Sequence, residues 1–487
     1  MAPDFSPQSV RFLRRENHVP LQLGLRCGKS GLAPMITSAP QPRFLRLNAA
    51  PEEVAQRLRH LPGLVWLDTA GHRPESDQDG GLSLITAAPR AILKGHLNEP
   101  AALEAALSDL RQDRGTGADW GFPLSGLFGS VDYDGSYCFG VYDEVLIYRH
   151  ATGEWLSSGP RLIPALAAAA SVPLPSLGPL TFSADQSAGE YESSVRQAHD
   201  YIAAGDIYQV NLAHRFSAPW PSGSDPLSLA LQLRAASPAP YAAYLNLGGR
   251  HLISSSPESF LKISGPLIRT RPIKGTRPRF HDPESDERSA IGLIRSEKER
   301  AELLMITDLL RNDLGQVCDY GSVRVTDLLR LERYEQVFHL VSTIKGHLRP
   351  GISHIGALRA CSPGGSITGA PKKRAREIIA ELEATPRGPY TGAIGYFGTN
   401  DESQFSIAIR TVVMENGLAT FHVGAGIVAD SIPALEWQET LHKAAGILAA
   451  CQSTGRVFSR VSGSPGPPPA QAAPISPSPV TSPSLPS

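Results

Sequence analysis

Residues 241–255 read YAAYLNLGGRHLISS, in which two apolar runs flank the dipeptide Gly248-Gly249. Two glycines between strand-like runs are typical of a tight turn, so this stretch predicts an antiparallel β-hairpin with strands over 241–247 and 251–255. The other predicted strands also come in neighbouring groups joined by short turns, and they include 207–216, 323–329, 392–399, 404–414 and 418–424.

Helices are predicted at irregular intervals among these strands, over 285–312 as one long helix, over 371–384 and over 433–451. A doubly wound parallel sheet would instead show strands and helices in regular alternation. The sequence therefore predicts an α+β fold with large antiparallel sheets and surrounding helices.

Changes in composition divide the chain into four segments. Residues 1–40 are rich in arginine, proline and glycine, and we expect a disordered or spurious N-terminal extension there. An N-terminal lobe is predicted over 41–187, which ends in a connector rich in proline, serine and glycine. The main catalytic region is predicted over 188–458. Residues 459–487 are mostly proline, serine and alanine, a composition too poor in apolar side chains to form a core, so a disordered tail is expected.

The overall composition excludes several classes of protein. Lysine plus arginine (46) nearly equals aspartate plus glutamate (47), so there is no general basic field to bind nucleic acid or an anionic membrane. No apolar run approaches the ~20 residues of a membrane-spanning helix. The five cysteines are scattered and form no CxxC pair, which favours reduced thiols in the cytoplasm over a disulfide framework.

A lysine in the run Pro272-Ile273-Lys274-Gly275-Thr276 is the first candidate for chemistry. A β-branched residue precedes Lys274, and the glycine after it allows close approach of the backbone to a ligand. If the side chain points into a pocket, its amine is a candidate nucleophile. If it points outward, it is a solvated surface charge.

Two Glu-x-x-Glu pairs suggest a metal site. Glu299 and Glu302 lie in the long predicted helix, and Glu436 and Glu439 lie in the last one. Spacing of i, i+3 places both carboxylates of a pair on one helix face, and two such faces opposed would suit Mg²⁺. Pairs of this kind also occur on ordinary solvated helices, and that alternative stays open.

Three other residues have chemistry that depends on their surroundings. Glu258 follows an apolar strand and is either a general acid or a surface charge. His339 lies in an apolar run, where a histidine is often a core residue. Arg410 is placed at the end of a predicted buried strand, so it requires an anion, either a ligand or a structural partner. Together the patterns favour an enzyme that acts on an anionic small molecule, with Mg²⁺ as cofactor.

Taken together, these motifs resemble the chorismate-utilising enzymes, a family that includes the anthranilate, aminodeoxychorismate, isochorismate and salicylate synthases. The resemblance extends from about Tyr191 to Leu448 and implies the fold of that family. It rests on motifs in a fixed order: GDIYQVNL (205–212), SSPE (255–258), PIKGT (272–276), DLLRNDLG (308–315), the loop 363–372, RGPY (387–390) and GAGIV (424–428).

Two positions resemble one branch of this family. Anthranilate synthases typically have alanine where this chain has Lys274, and isochorismate and salicylate synthases have a water-activating lysine where it has Gln209. The resemblance implies conversion of chorismate and ammonia to 4-amino-4-deoxychorismate, on the route to p-aminobenzoate and folate. The alternatives are an anthranilate synthase component I and a chorismate-binding protein without catalysis.

The resemblance also implies roles for the candidate residues. Lys274 would be the covalent nucleophile and Glu258 the general acid, with His339 close to the departing hydroxyl. Mg²⁺ would be held directly by Glu302 and Glu439, and through water by Glu299 and Glu436. The implied substrate-binding residues are Gly275, Thr276, Ser366, Tyr390, Arg410, Gly426 and Lys443.

A partner is implied as well, because the reaction needs ammonia. No Gly-x-Cys-x-Gly nucleophile turn surrounds any cysteine of the chain. The resemblance therefore implies a separate glutamine amidotransferase subunit that supplies the ammonia.

Overall fold

The protein is built on two large antiparallel sheets with helices around them, as seen in a computed structural model. The structure describes residues 42–69, 81–114, 120–168, 174 and 177–452. The predicted α+β fold is confirmed. The predicted extension (1–40) and tail (459–487) lie outside the described residues.

The first nine strands precede residue 188: β1 (Arg43–Leu45), β2 (Val65–Asp68), β3 (Leu82–Thr86), β4 (Ala91–His96), β5 (Gly126–Val131), β6 (Ser136–Tyr142), β7 (Leu146–Arg149), β8 (Glu154–Ser157) and β9 (Ser183–Ala184). The strands that follow are β10 (Gln209–Pro219), β11 (Tyr241–Leu247), β12 (Arg250–Ser256), β13 (Ser259–Ser264), β14 (Leu267–Arg271), β15 (Ile273–Pro278), β16 (Arg324–Arg333), β17 (Val337–His347), β18 (Gly369–Ala370), β19 (Ala393–Gly398), β20 (Glu402–Ile407), β21 (Thr411–Glu415) and β22 (Leu418–Ile427).

The helices of the described ranges are α1 (Pro51–Leu58), α2 (Ala101–Arg114), α3 (Leu162–Ala168), α4 (Ala188–Ala203), α5 (Pro226–Ala236), α6 (Pro283–Ile294), α7 (Glu297–Gly315), α8 (His354–Cys361), α9 (Lys372–Leu382) and α10 (Pro433–Gln452). None of these helices combines the length and the apolar character needed to cross a bilayer.

Each sheet takes strands from both sides of residue 187. The first sheet has the order β1-β8-β7-β3-β2-β11-β12-β21-β22-β10-β18, with β9 beside β10. The second has the order β15-β17-β14-β13-β20-β19-β5-β6-β4, with β16 beside β17. The division at residue 187 between an N-terminal lobe and a catalytic region therefore stays a prediction.

The predicted hairpin is present as β11 and β12, paired from Tyr241 with Ser256 to Leu247 with Arg250. Gly248 and Gly249 both have positive φ, 66° and 95°, which a two-residue hairpin turn requires and which glycine adopts without strain. This hairpin occupies the middle of the first sheet.

Two of the places where the chain passes from one sheet to the other are adjacent. It leaves β12 for β13 through Pro257 and Glu258, and it returns from β20 to β21 through residues 408–410. Hydrogen bonds tie the two crossings together: the N–H of Ile407 donates to the carbonyl of Glu258 (3.1 Å), and the N–H of Ser255 to that of Arg410 (3.0 Å). The sequence prediction of one strand over 404–414 is wrong, because Arg410 has φ of +49° and breaks the strand there.

The long helix predicted over 285–312 is also wrong in one respect, since it is two helices, α6 and α7. The break falls at Arg295 and Ser296, and the Ser296 hydroxyl accepts the N–H of Glu299 (3.4 Å) as an N-cap. A serine three residues before a glutamate is a helix-start signal, and it places Glu299 in the first turn of a new helix.

The core places two helices opposite each other. α10 packs on the first sheet through residues such as Ala444 and Ile447, near Phe421 of β22. α7 packs on the second sheet through Ile306 and Leu310. The two Glu-x-x-Glu pairs thus come from helices that belong to different sheets.

Candidate active site

A cavity of about 510 Å³ lies where the sheet crossings meet α7 and α10. Its walls contain all the predicted catalytic, metal-binding and substrate-binding residues except Glu436. The predicted residues that line it are Glu258, Lys274, Gly275, Thr276, Glu299, Glu302, His339, Ser366, Tyr390, Arg410, Gly426, Glu439 and Lys443.

Lys274 points into this cavity. Its strand, β15, lies at the edge of the second sheet, and the pairing with β17 shifts register between Lys274 and Thr276. Gly275 forms this bulge with φ of +75°, and a Cβ there would lie 2.7 Å from Cδ1 of Leu293. The bulge re-aims the lysine, whose Nζ lies 3.6 Å from Oε2 of Glu302.

Glu258 is buried in the crossing from the first sheet to the second. Its Oε1 accepts a hydrogen bond of 2.8 Å from the hydroxyl of Ser366, which stands on a 3-10 turn, Gly365–Ile367. Burial raises the pKa of Glu258 to about 7, against the opposing effects of this hydrogen bond and of the Lys274 charge. A carboxyl group with this pKa is partly protonated near neutral pH and can deliver a proton.

His339 lies beside the bulge on β17. Its Nδ1 is 3.0 Å from the hydroxyl of Thr276, and the ring packs edge-on against Tyr334. Burial lowers the pKa of His339 to about 4, so the imidazole is neutral near pH 7. It can orient a hydroxyl group without adding charge.

The glutamates of α7 and α10 face lysines in this structure. Lys274 lies beside Glu302, Lys298 Nζ is 3.8 Å from Glu436, and Lys443 Nζ is 2.8 Å from Glu439. Within the described ranges, no three acidic, histidine or cysteine side chains are grouped closely enough to hold a metal ion.

Two of the four carboxylates, Glu299 and Glu436, are nevertheless under-compensated, which fits a divalent cation. In contrast, the Lys443 charge lowers the pKa of Glu439 against the effect of burial. Oε2 of Glu436 is buried without a hydrogen-bond partner. Burial raises the pKa of Glu299 and of Glu436, and a neighbouring glutamate raises each further, Glu302 in the first case and Glu439 in the second. Oxygen-rich acidic surroundings of this kind are the ligand type that Mg²⁺ prefers.

The cavity also carries positive charge that can receive an anion. The Arg410 guanidinium lines the cavity, burial lowers its pKa, and no acidic residue of the described ranges forms an ion pair with it. Tyr390 is stacked on His422 with ring centroids 5.2 Å apart. Lys443 Nζ also donates to the carbonyl of Gly424 (2.8 Å).

The cavity also contains residues that the sequence analysis did not assign to the site, among them Asn211, Lys298 and His422. Asn211 could have been found, because it lies two residues from Gln209 on one strand and so on the same face. Gln209 lies near Lys274, since a Cβ on Gly426 would be 2.5 Å from Gln209 Nε2 and 3.8 Å from Lys274 Nζ.

Comparisons with known proteins agree with this geometry. A family model described as chorismate binding enzyme matches residues 99–449. The chain is 46% identical over 296 residues to anthranilate synthase component 1 of Streptomyces coelicolor, a match that covers 60% of this chain and 58% of the relative. It is 46% identical over 264 residues to aminodeoxychorismate synthase component 1 of Bacillus subtilis, covering 54% and 56%. The matches thus span little more than half the length of these relatives.

Solved structures show the same fold. The chain superposes on anthranilate synthase component I from Streptococcus pneumoniae with a TM-score of 0.68 and 29% identity, covering 77% of this chain and 93% of that one. It also superposes on the menaquinone-specific isochorismate synthase of Escherichia coli with a TM-score of 0.68 and 21% identity, covering 85% and 95%.

Proposed function

Because the chain belongs to the family of chorismate binding enzymes, we propose that it converts chorismate and ammonia to 4-amino-4-deoxychorismate. The observation that carries this proposal is the position of Lys274, whose amine lies inside the cavity that also contains the buried Glu258. An amine nucleophile and a proton donor in one enclosed space are the two groups that a double displacement needs.

The proposed reaction has two displacements. Nζ of Lys274, once it has given its proton to solvent, bonds to C2 of chorismate, both ring double bonds shift, and the C4 hydroxyl departs as water with a proton from Glu258. Ammonia then bonds to C4, both double bonds shift back, and the C2–N bond breaks to release the Lys274 amine. The ammonium formed at C4 returns a proton to Glu258. Thr276 lies on β15 with Lys274, and His339 lies on the paired strand β17. These two residues would orient the departing hydroxyl.

The second nucleophile has a suitable place beside Lys274. Oε1 of Gln209 and Oδ1 of Asn211 are both buried without a hydrogen-bond partner. Amide oxygens accept hydrogen bonds, so this pair can hold the N–H groups of ammonia. Ammonia is a nucleophile without deprotonation, whereas water needs a base to remove its proton, and neither amide can act as that base. The pair therefore favours ammonia over water as the nucleophile.

The remaining residues would bind the substrate and the metal. Arg410 and Lys443 supply positive charge for the chorismate carboxylates, and Tyr390, Gly426, Ser366 and Gly275 complete the surface around them. Glu302 and Glu439 would hold Mg²⁺ directly, with Glu299 and Glu436 acting through water. When bound, the metal would neutralise the ring carboxylate and polarise the ring.

A separate glutamine amidotransferase subunit would supply the ammonia in the cell. This part of the proposal is supported by the relatives, which carry the names component 1 of anthranilate synthase and of aminodeoxychorismate synthase. Ammonium salt would replace the partner in vitro.

Anthranilate synthase component I is the second candidate, because the two kinds of relative are equally similar, at 46% identity. The product of chorismate, ammonium and Mg²⁺ separates the two. We expect 4-amino-4-deoxychorismate by chromatography and mass spectrometry, whereas fluorescent anthranilate would overturn the proposed product.

The role of Lys274 has its own test. With chorismate but no ammonium, the peptide that contains Lys274 should gain the mass of chorismate minus water. Lys274→Ala should lose both this adduct and most turnover, while Lys373→Ala, at an exposed site on α9, serves as the matched control. Wild-type rates in Lys274→Ala would remove the residue from the mechanism.

A further inference from the structure

Arg387 lies behind the cavity rather than in its wall. Its side chain is only 1% exposed, and it follows α9 in the segment that leads to β19. Its charge is paired with Glu383, whose two carboxylate oxygens accept from Nε (2.9 Å) and Nη2 (2.6 Å). The rest of its hydrogen-bonding capacity is directed to other segments.

Three of those segments carry groups of the cavity. Nη1 donates to the carbonyl of Ile367 (3.0 Å), the residue next to Ser366. Nη2 donates to the carbonyl of Asn211 on β10 (2.7 Å). Nη1 also donates to the hydroxyl of Thr391 (3.1 Å), and the guanidinium lies 5.7 Å from the ring centroid of Tyr390.

We propose that Arg387 is a positioning residue for the reaction: it holds the Ser366 turn, strand β10 and Tyr390 at fixed places around the substrate. It acts on the chemistry through Ser366, whose hydroxyl donates to Glu258. The inference rests on the proposed function, because it assigns a consequence to the role of Glu258 as proton donor.

A lysine at position 387 could not make the hydrogen bonds of Arg387. The guanidinium presents five N–H donors in one rigid plane, and Arg387 directs them to five acceptor atoms on four residues. Glu383 in turn accepts the N–H of Ala213 (2.9 Å), so the pair also fixes β10 from a second point. An ammonium group would keep the charge and lose the geometry.

The state of Glu258 reports on this arrangement. The charges of Lys274 on β15 and Lys443 on α10 act on Glu258, and Arg410 lines the same cavity. The Ser366 hydroxyl and the N–H of Ile273 donate to the Glu258 carboxylate. A hydrogen bond to the carboxylate favours the charged form. If the Ser366 turn shifts, that bond weakens and the carboxyl holds its proton to higher pH.

The test is the titration of Glu258, followed by the infrared carboxyl band in the purified protein and identified by subtracting the spectrum of Glu258→Gln. We expect Arg387→Lys to move the midpoint upward by roughly one pH unit, and Ser366→Ala to move it by a similar amount. The double variant should move the midpoint no further than Ser366→Ala alone, because both substitutions remove the same hydrogen bond, the one from Ser366 to Glu258. An unmoved midpoint in Arg387→Lys, or shifts that add in the double variant, would overturn the proposal.

Two further variants keep the test decisive. Arg234→Lys changes an arginine of α5 that is paired with Asp68 of β2 (2.7 Å), and it should leave the midpoint unchanged. An equal shift there would show a non-specific effect and count against Arg387. Glu383→Gln keeps an amide oxygen for Ala213 and removes the charge that fixes the guanidinium. It should give a smaller upward shift, and no shift there would overturn the proposal even if Arg387→Lys does not fold.

The infrared titration needs no turnover. If the protein forms no aminated product from chorismate, the proposed function fails, while the Glu258 midpoint still decides whether Arg387 positions Ser366.

Discussion

The two walls of the cavity are held in different ways. The sheet wall, formed by Glu258, Ser366, Tyr390, Arg410 and Gly426, is fixed by the hydrogen-bonded crossings and by short bonds such as Ser366 to Glu258 at 2.8 Å. The helix wall, formed by Glu299, Glu302, Glu436, Glu439 and Lys443, is joined mainly by ion pairs, two of them as long as 3.6 and 3.8 Å. The first wall is held by direct hydrogen bonds, and the second by ion pairs, of which the Lys443–Glu439 pair is the shortest at 2.8 Å and which a bound cation would rearrange.

The largest effect is expected on the sheet wall, from Glu258→Gln. The amide keeps the size and the hydrogen bond to Ser366 but cannot deliver the proton. Since general acid catalysis contributes about 10²–10⁴-fold, kcat for chorismate turnover should fall by that factor. Rapid-quench or steady-state kinetics with saturating ammonium measure it.

Chorismate affinity, measured by calorimetry, is the control for that variant and should change little. A kcat within a few-fold of wild type would show that the proton comes from elsewhere.

A second effect of Glu258 concerns stability. Burial raises its pKa in the folded protein to about 7, above the 4.5 that is usual for a glutamate in water. The folded state therefore binds this proton more tightly, and the resulting stabilisation is present below about pH 4.5 and lost as the pH rises through 7. Between pH 5 and pH 8, wild type should lose roughly 2–3 kcal/mol of unfolding free energy relative to Glu258→Gln.

Urea unfolding of both proteins at the two pH values gives this difference directly. The buried histidines have lowered pKa values, so they reduce the unfolding free energy as the pH falls below about 6.5. Their contribution is the same in both proteins and cancels when the unfolding free energy of Glu258→Gln is subtracted from that of wild type. Parallel curves for the two proteins would contradict the raised pKa of Glu258.

Arg410 tests whether the sheet wall binds substrate or supports the fold. A charge-assisted hydrogen bond contributes about 1.5–3 kcal/mol, so Arg410→Met should raise KM for chorismate by roughly 10-fold or more. The melting temperature should not fall, because no acidic residue of the described ranges pairs with the guanidinium. A lower melting temperature with unchanged KM would assign Arg410 to structure.

The smallest effect is expected on the helix wall, from Glu436→Gln. The change removes a charge from a buried carboxylate with an unpartnered oxygen. Stability in EDTA should therefore rise by about 1 kcal/mol, while the rise in melting temperature on adding Mg²⁺ should shrink. Thermal melts of both proteins, with EDTA and with Mg²⁺, provide the comparison, and equal Mg²⁺ responses would exclude Glu436 from the metal site.

The sequence predicted much of the fold because the signals are local. Gly248-Gly249 marks the hairpin, and the alternation of apolar residues marks most of the strands. The crossing at Arg410 was missed because its apolar neighbours read as one continuous strand, and only the left-handed backbone conformation separates β20 from β21. The break before α7 was missed although Ser296 and Glu299 carry a capping signal.

The site was predictable as a set of residues but not as an arrangement. Spacing alone left Lys274 as either nucleophile or surface charge, and the bulge at Gly275 is what turns it inward. Arg387 could not be assigned, because its effect depends on carbonyl groups of Ile367 and Asn211, which are distant in sequence. A backbone carbonyl is present at every residue, so the sequence does not show which carbonyls accept a hydrogen bond from Arg387.

The mixed origin of the strands has a consequence for synthesis on the ribosome. β2 pairs with β11, and β5 pairs with β19, so both sheets wait for partners made much later in the chain. At ordinary translation rates β5 remains without β19 for on the order of tens of seconds. During that time the edge of β5 that later pairs with β19 is open to other chains, so we expect the nascent chain to need chaperones until the second sheet is complete.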